Sequence, residues 1–126
     1  MSEFIIGTEK TVKAVVTEER LAVNVGSGGL RVLATPAVAA LLEKAAFELL
    51  EEHMPEGITT VGTSISIEHT RATAFGAEVT ATAKLIESDD RKYVFTLSAS
   101  DHAGEIAHGT HVSFTVKAER FMEKLK

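Results

Sequence analysis

The stretch VLATPAVAALLEKAAFELLEEH, residues 32–53, limits most strongly what this chain can fold into. Its apolar residues recur with helical spacing. At 100° per residue, Val38, Leu42, Ala45 and Leu49 form part of one arc, while Lys44, Glu48, Glu51 and Glu52 gather on another side. Thr35-Pro36 reads as the start: the threonine hydroxyl is suited to cap a free backbone N–H, and proline's fixed φ fits the first helical position. The helix is expected to run to about His53, where Pro55 and Gly57 break it. A helix with one apolar side must bury that side against another element.

The partner surface follows in the sequence as four period-2 runs. TTVGTSISIEH (59–69) sets Val61, Ile65 and Ile67 in phase, and AEVTATAKLIE (77–87) does so with Val79, Ala81, Ala83 and Leu85. KYVFTLSAS (92–100) aligns Tyr93, Phe95, Leu97 and Ala99, and IAHGTHVSFTVK (106–117) ends with Val112, Phe114 and Val116 in phase. SDDR and DHAGE supply turns between the last three. Ahead of the helix, TVKAVVTEE alternates Val12, Ala14 and Val16 as a further strand, and AERFMEKLK suggests a final helical turn. Consecutive strands with short connections imply an antiparallel sheet. The expected class is α+β: one long helix packed on a curved antiparallel sheet of about five strands, in a single domain over residues 1–126. The glycine-rich NVGSGGLRV (24–32) reads as a loop, either connector or lid. It lacks the Gly-Lys-Ser/Thr that completes a phosphate-binding loop.

Composition narrows the function classes. A formal charge of −5 with no basic stripe argues against nucleic acid as the main partner. No apolar run approaches the roughly 20 residues that span a bilayer, and MSEFIIGTEK has no signal-peptide pattern, so a cytoplasmic location without membrane contact is expected. Zero cysteines removes disulfides, thiolate metal sites and a cysteine nucleophile. His108 and His111 are three apart on an expected strand and so point to opposite faces, which argues against a metal site.

One charge departs from the helix pattern. Glu43 falls on the far part of the apolar arc among Ala39, Ala46, Phe47 and Leu50. An ionised carboxylate there is costly unless it is paired or faces a polar cleft; the alternative is an edge position from which it reaches water. By strict alternation, His69 continues the face of Val61, Thr63, Ile65 and Ile67. Taken alone it reads as a hydrogen-bonded core histidine. A carboxylate and an imidazole both aimed at apolar surfaces also fit an acid–base pair. Thr35 lies two turns before Glu43 and is suited to act both as cap and as a donor near a bound carbonyl. Gly62, inside a strand, marks a bulge or a place where backbone or ligand approaches closely. Arg71 follows His69 closely and is a candidate for an anionic group.

The segments VLATPAVAALLEKAA, VGTSISIEHTRAT and IAHGTH, in this order and spacing, resemble the hotdog-fold acyl-coenzyme A thioesterases related to fluoroacetyl-coenzyme A thioesterase, over roughly residues 8–121. The resemblance implies a long helix wrapped by an antiparallel sheet, in a homodimer with active sites at its interface; a tetramer of two such dimers stays open. It matches the family's catalytic threonine, glutamate and histidine to Thr35, Glu43 and His69. Glu43 would be nucleophile or general base toward water, His69 proton carrier and Thr35 the orienting group. His111 matches a family position beside the site, with packing near the sheet edge as the alternative; with Gly62 and Arg71, the latter alternatively a surface arginine, it makes up the candidate substrate-binding set. No cofactor or metal is implied, coenzyme A entering only as part of the acyl-CoA substrate. Two departures stand out: Ser113 occupies the place of an arginine two residues after the histidine of Gly-Thr-His, and 24–32 lacks the aromatic residues of the family's lid. Both point away from fluoroacetyl-CoA as the natural substrate. An acyl-CoA-binding protein without turnover, or a hydratase on the same fold, are the alternative readings.

Overall fold

In the computed structural model, described over residues 4–126, strand β1 (Glu9–Val15) leads through a single 3-10 turn (Glu18–Arg20) and a short helix α1 (Ala22–Val25) into the long helix α2 (Thr35–Glu51). Four strands follow, β2 (Ile58–His69), β3 (Glu78–Asp89), β4 (Lys92–Asp101) and β5 (Gly104–Lys117), and a last helix α3 (Ala118–Glu123). All strand pairs are antiparallel, in the order β1-β3-β4-β5-β2. The helix lies on one face of this sheet, the hotdog arrangement implied by the resemblance. No helix is long and apolar enough to cross a membrane among the described residues.

Packing follows the two periodicities. Helix α2 buries Val38, Leu41, Leu42, Ala45, Ala46, Leu49 and Leu50. The facing sheet buries Val79, Ala81, Ala83 and Leu85 from β3 and Tyr93, Phe95, Leu97 and Ala99 from β4. Each large side chain removed from water this way stabilises the fold by about 1.5–3 kcal/mol. Alanines at 45, 46, 81 and 83, all essentially inaccessible, let the helix approach the sheet closely.

Four expectations are corrected. Helix α2 ends at Glu51, two residues early, and its N-cap is Ala34, whose carbonyl accepts from the Ala37 and Val38 N–H groups. Thr35 is already helical, and its hydroxyl is engaged elsewhere. Asn24 and Val25 end helix α1 rather than begin the loop, which starts at Gly26, held at φ 92°. Strand β2 does not pair with β3: it crosses to the far edge and pairs with β5, so residues 70–77 span the sheet. Finally, the buried phase of β5 is polar. His111, Ser113 and Thr115 face inward at 3–4% exposure, and Val112, Phe114 and Val116 lie on the other face. A pattern of large apolar residues could not report this, because the outer face is apolar too.

The crossing segment is pinned at its start. The Asp101 side chain, 4% exposed, accepts hydrogen bonds from the Arg71 guanidinium, from the Thr73 hydroxyl at 2.9 Å and from the Ala103 N–H at 2.9 Å. Burial alone would raise its carboxyl; the three donors outweigh this and hold it below its ordinary value of 3.8. As pH falls, the unfolded chain takes up this proton first. The carboxylate's contribution is therefore complete above about pH 3.8 and is lost as pH falls through the lower folded value. Asp101→Ala should lower the unfolding free energy at pH 7 by about 2 kcal/mol. In urea titrations, its deficit against the parent should shrink as pH drops below 3.8.

Candidate active site

Helix α2 starts beside the end of β2, and this brings two of the sequence-derived residues into contact. The Thr35 hydroxyl lies 2.8 Å from His69 Nδ1. Because Thr35 sits at the first helical position, its hydroxyl points away from the helix's own N–H groups and toward the strand. The other ring nitrogen, His69 Nε2, is buried without a hydrogen-bond partner among the described residues. This pair lines a cleft of about 350 Å³ together with Gly28, Gly29, Leu30 and Arg71. The glycine-rich segment thus forms one wall of the cleft. Arg71 stands in it as well, its side chain 40% exposed and its guanidinium ion-paired with Asp101.

Two turns along the same helix, Glu43 is half-buried and faces a different histidine. The register of β2 against β5 slips between Gly62 and Ser64, so Thr63 is an extra, bulged residue. The bulge reverses the alternation. The face turned to the helix is Thr60 and Gly62 before it, then Ile65, Ile67 and His69 after it; Val61 and Thr63 do not belong with His69 as strict alternation implied. Gly62 lies directly opposite Ser113, and Ile65 opposite His111. A Cβ on Gly62 would stand 2.5 Å from Glu43 Oε2 and 2.9 Å from His111 Cε1. The missing side chain is what gives the carboxylate and the imidazole room. Bulge and close approach, the two readings of this glycine, both hold.

His111 is fixed from two sides. Its Nδ1 lies 3.0 Å from the carbonyl of Ser64, the residue after the bulge, and its ring rests against Phe95 with centroids 5.8 Å apart. Burial holds its imidazole below the ordinary value of 6.5, although the Glu43 charge and the Ser64 carbonyl oppose the shift. The ring is neutral at pH 7. Glu43, Lys44, Phe47, Thr60, Gly62, His111 and Ser113 line a second cleft of about 310 Å³. The Ser113 hydroxyl is buried there with no partner among the described residues.

The polar groups therefore divide in two within one chain. Thr35 meets His69, and Glu43 meets His111; no hydrogen bond or ion pair joins Glu43 to His69 among the described residues. The Glu43–His111 neighbourhood and the inward Ser113 hydroxyl were not anticipated. Their signal was the polar alternation His111, Ser113, Thr115 on a strand whose opposite phase is apolar. His108 is exposed and pairs with Glu105, on the face opposite to His111. The described residues contain no cluster of three His, Asp or Glu placed to hold a metal ion.

This geometry has relatives. A family model described as fluoroacetyl-CoA-specific thioesterase matches residues 16–119. The fluoroacetyl-CoA thioesterase of Streptantibioticus cattleyicolor is 30% identical over 124 residues, which covers 98% of this chain and 86% of that protein. A solved mutant of the fluoroacetyl-CoA-specific thioesterase, in complex with fluoroacetate and CoA, superposes with a TM-score of 0.89 at 28% identity, covering 94% of this chain and 99% of that one. A hot-dog-like protein from Thermanaerovibrio acidaminovorans shares the fold at 23% identity, with a TM-score of 0.88 over 97% of this chain and 90% of its own.

The steric role of Gly62 is testable without any substrate. Gly62→Ala should displace Glu43 or His111 and lower the unfolding free energy by about 1–3 kcal/mol. An unchanged urea midpoint would mean that the two side chains are not packed against this strand.

Proposed function

The chain belongs to the fluoroacetyl-CoA-specific thioesterase family, and from that membership we propose that it hydrolyses an acyl-CoA, or a similar acyl thioester, to the free acid and thiol. The observation that carries this reading is the pair of polar constellations on one helix, Thr35–His69 at its start and Glu43 against bare Gly62 two turns on. Buried polar groups without partners, His69 Nε2 among them, are costly unless a ligand meets them. CoA held in the related solved structure supports a coenzyme A ester as the substrate class. In this reading Glu43 is the nucleophile or the base toward water. His69 carries the proton to the departing sulfur, and Thr35 holds His69 in orientation. Arg71, at the mouth of the same cleft, is assigned to the coenzyme's phosphates while it shares its charge with Asp101.

Eight residues of helix separate Thr35 from Glu43 by about 12 Å, too far for both to act on one carbonyl from the same chain. A homodimer removes the difficulty. Strand β2 is an edge of the sheet, twelve residues long, and such an edge is a template for pairing. Phe47, 43% exposed beside Glu43, is the kind of apolar surface that a second copy covers. Antiparallel pairing of two β2 edges about the middle of the strand would carry the Gly62 end of one toward the His69 end of the other. Each complete site then takes Glu43 from one protomer and the Thr35–His69 pair from the other.

The acyl group is set by the walls of the Glu43 cleft. Ser113 and Thr60 offer hydroxyls there and Gly29 stands in the other cleft, so neither an arginine at 113 nor an aromatic lid is present to select fluoroacetyl-CoA. We assign this chain an acyl ester other than fluoroacetyl-CoA.

A thiol-release screen across acyl-CoA esters of graded length and polarity tests the reading. Hydrolysis of at least one ester is expected, with Glu43→Ala and His69→Ala each slowing it by about 10²–10⁴ while circular dichroism stays unchanged. Saturable binding without thiol release would instead identify a binding protein, and hydration of an enoyl ester without thiol a hydratase. Co-expressing the two variants should restore about a quarter of the parental activity, because half of the dimers are mixed and each has one intact site. No restoration would sink the shared site.

A further inference from the structure

We propose that Ser113 is a specificity-determining residue: its hydroxyl, with that of Thr60, selects an acyl group that carries an uncharged hydroxyl on C3, two bonds beyond the thioester carbonyl carbon. The inference rests on the hydrolase reading above and deepens it by naming the class of acyl group.

Ser113 is 3% exposed, and its Oγ has no hydrogen-bond partner among the described residues. A buried hydroxyl is rarely left so, because its lost contact with water is then uncompensated. Strand register explains why the chain supplies no partner. The residue opposite on β2 is Gly62, which has no side chain, and the one opposite on β4 is Tyr93, which is buried in the core. Two residues earlier on β5, His111 Nδ1 is engaged with the Ser64 carbonyl. Two residues later, Thr115 stands opposite Thr60. Ser113 and Thr60 instead line the cleft of about 310 Å³ that also holds Glu43.

The walls of this cleft discriminate among acyl groups. Among the described residues, Phe47 is the only wholly apolar side chain that lines it, so a plain aliphatic group would cover the two hydroxyls without pairing them. An anionic group would meet the Glu43 carboxylate, and the cation that lines the cleft, Lys44, is 59% exposed and 3.9 Å from Glu48. A neutral hydroxyl donates once and accepts twice, so it suits a serine and a threonine together. Reach selects the carbon. Residues opposite each other on antiparallel strands are about 5 Å apart, and Glu43 Oε2 packs against Gly62, the residue opposite Ser113. With the carbonyl carbon at Glu43, a hydroxyl on C3 that hydrogen-bonds at about 2.8 Å spans that distance.

Thiol-release kinetics on a matched pair of esters, 3-hydroxybutyryl-CoA (each enantiomer) and butyryl-CoA, test the assignment. In the parent, kcat/KM for one hydroxy enantiomer should exceed that for butyryl-CoA by about 10–10²-fold. Parental hydrolysis of butyryl-CoA at an equal or higher kcat/KM overturns the proposal and leaves the hydrolase reading intact. In Ser113→Ala the ratio between the two esters should fall by about 10-fold, a readout that a general loss of active protein would not move. An unchanged ratio overturns the proposal. The melting temperature gives a measurement without substrate: removing a hydroxyl that the chain leaves unpartnered should keep it at or above that of the parent, and a marked drop would show a structural role instead. Failure of the parent to release thiol from any ester is a distinct result that removes the hydrolase reading and this inference with it.

Discussion

A carboxylate on the sheet-facing side of a helix needs room and polar company, and in this protein both come from the contact between Glu43 and the bare backbone of Gly62. Any side chain at 62 would occupy the space that Glu43 Oε2 and His111 Cε1 now share. The contact exists because the bulge at Thr63 turns Gly62 and Ile65 to the same face, although they are three positions apart. Without that extra residue, either Gly62 or the Ile65–Ile67–His69 series would face away from the helix. One irregularity in one strand thus sets the carboxylate, the imidazole beside it and the histidine at the strand's end in a common layer.

The remaining core explains why the layer tolerates so much polarity. Beneath the central part of α2, β3 and β4 offer only apolar side chains, and the helix buries seven residues against the sheet. Beside the helix, the buried polar groups of the sheet lie on β5 and β2, at the side where β2 has no further neighbour. His111, Ser113, Thr115 and Thr60 cluster there. Stability and chemistry are divided between the two halves of one sheet. The neutral state of His111 follows from this division, because the apolar half supplies the wall, Phe95, that keeps water from one side of the ring.

Much of this was legible from residue pattern. The helix, the alternation of Val79 to Leu85 and of Tyr93 to Ala99, and the turns between these strands stand where period and turn chemistry put them, to within a few residues. Glu43 was conspicuous because it interrupts a helical stripe, and Gly62 because strands seldom waste a position on glycine. Pairing was not legible. Alternation assumes an unbroken strand, so it carried His69 back through Thr63 to Val61 and missed the bulge. Capping preference assigned Thr35 to the helix N-terminus, yet Ala34 caps the helix and the threonine hydroxyl turns to a histidine 34 residues away. Local rules rank what a residue does among its chain neighbours, and they cannot see a better partner brought by the sheet.

By itself, the sequence determined the long helix and the five strands, the apolar faces of α2, β3 and β4, and the family, because these depend on periodicities and motifs carried within short windows. Which polar groups meet was decided only by the tertiary structure. Glu43 comes to lie near His111 and Thr35 hydrogen-bonds with His69, and the strand order β1-β3-β4-β5-β2 together with one bulge makes both choices. The physical reason is that a side chain's face in a sheet depends on register along the whole strand. A single inserted residue moves every later side chain to the other side, and no local preference records it.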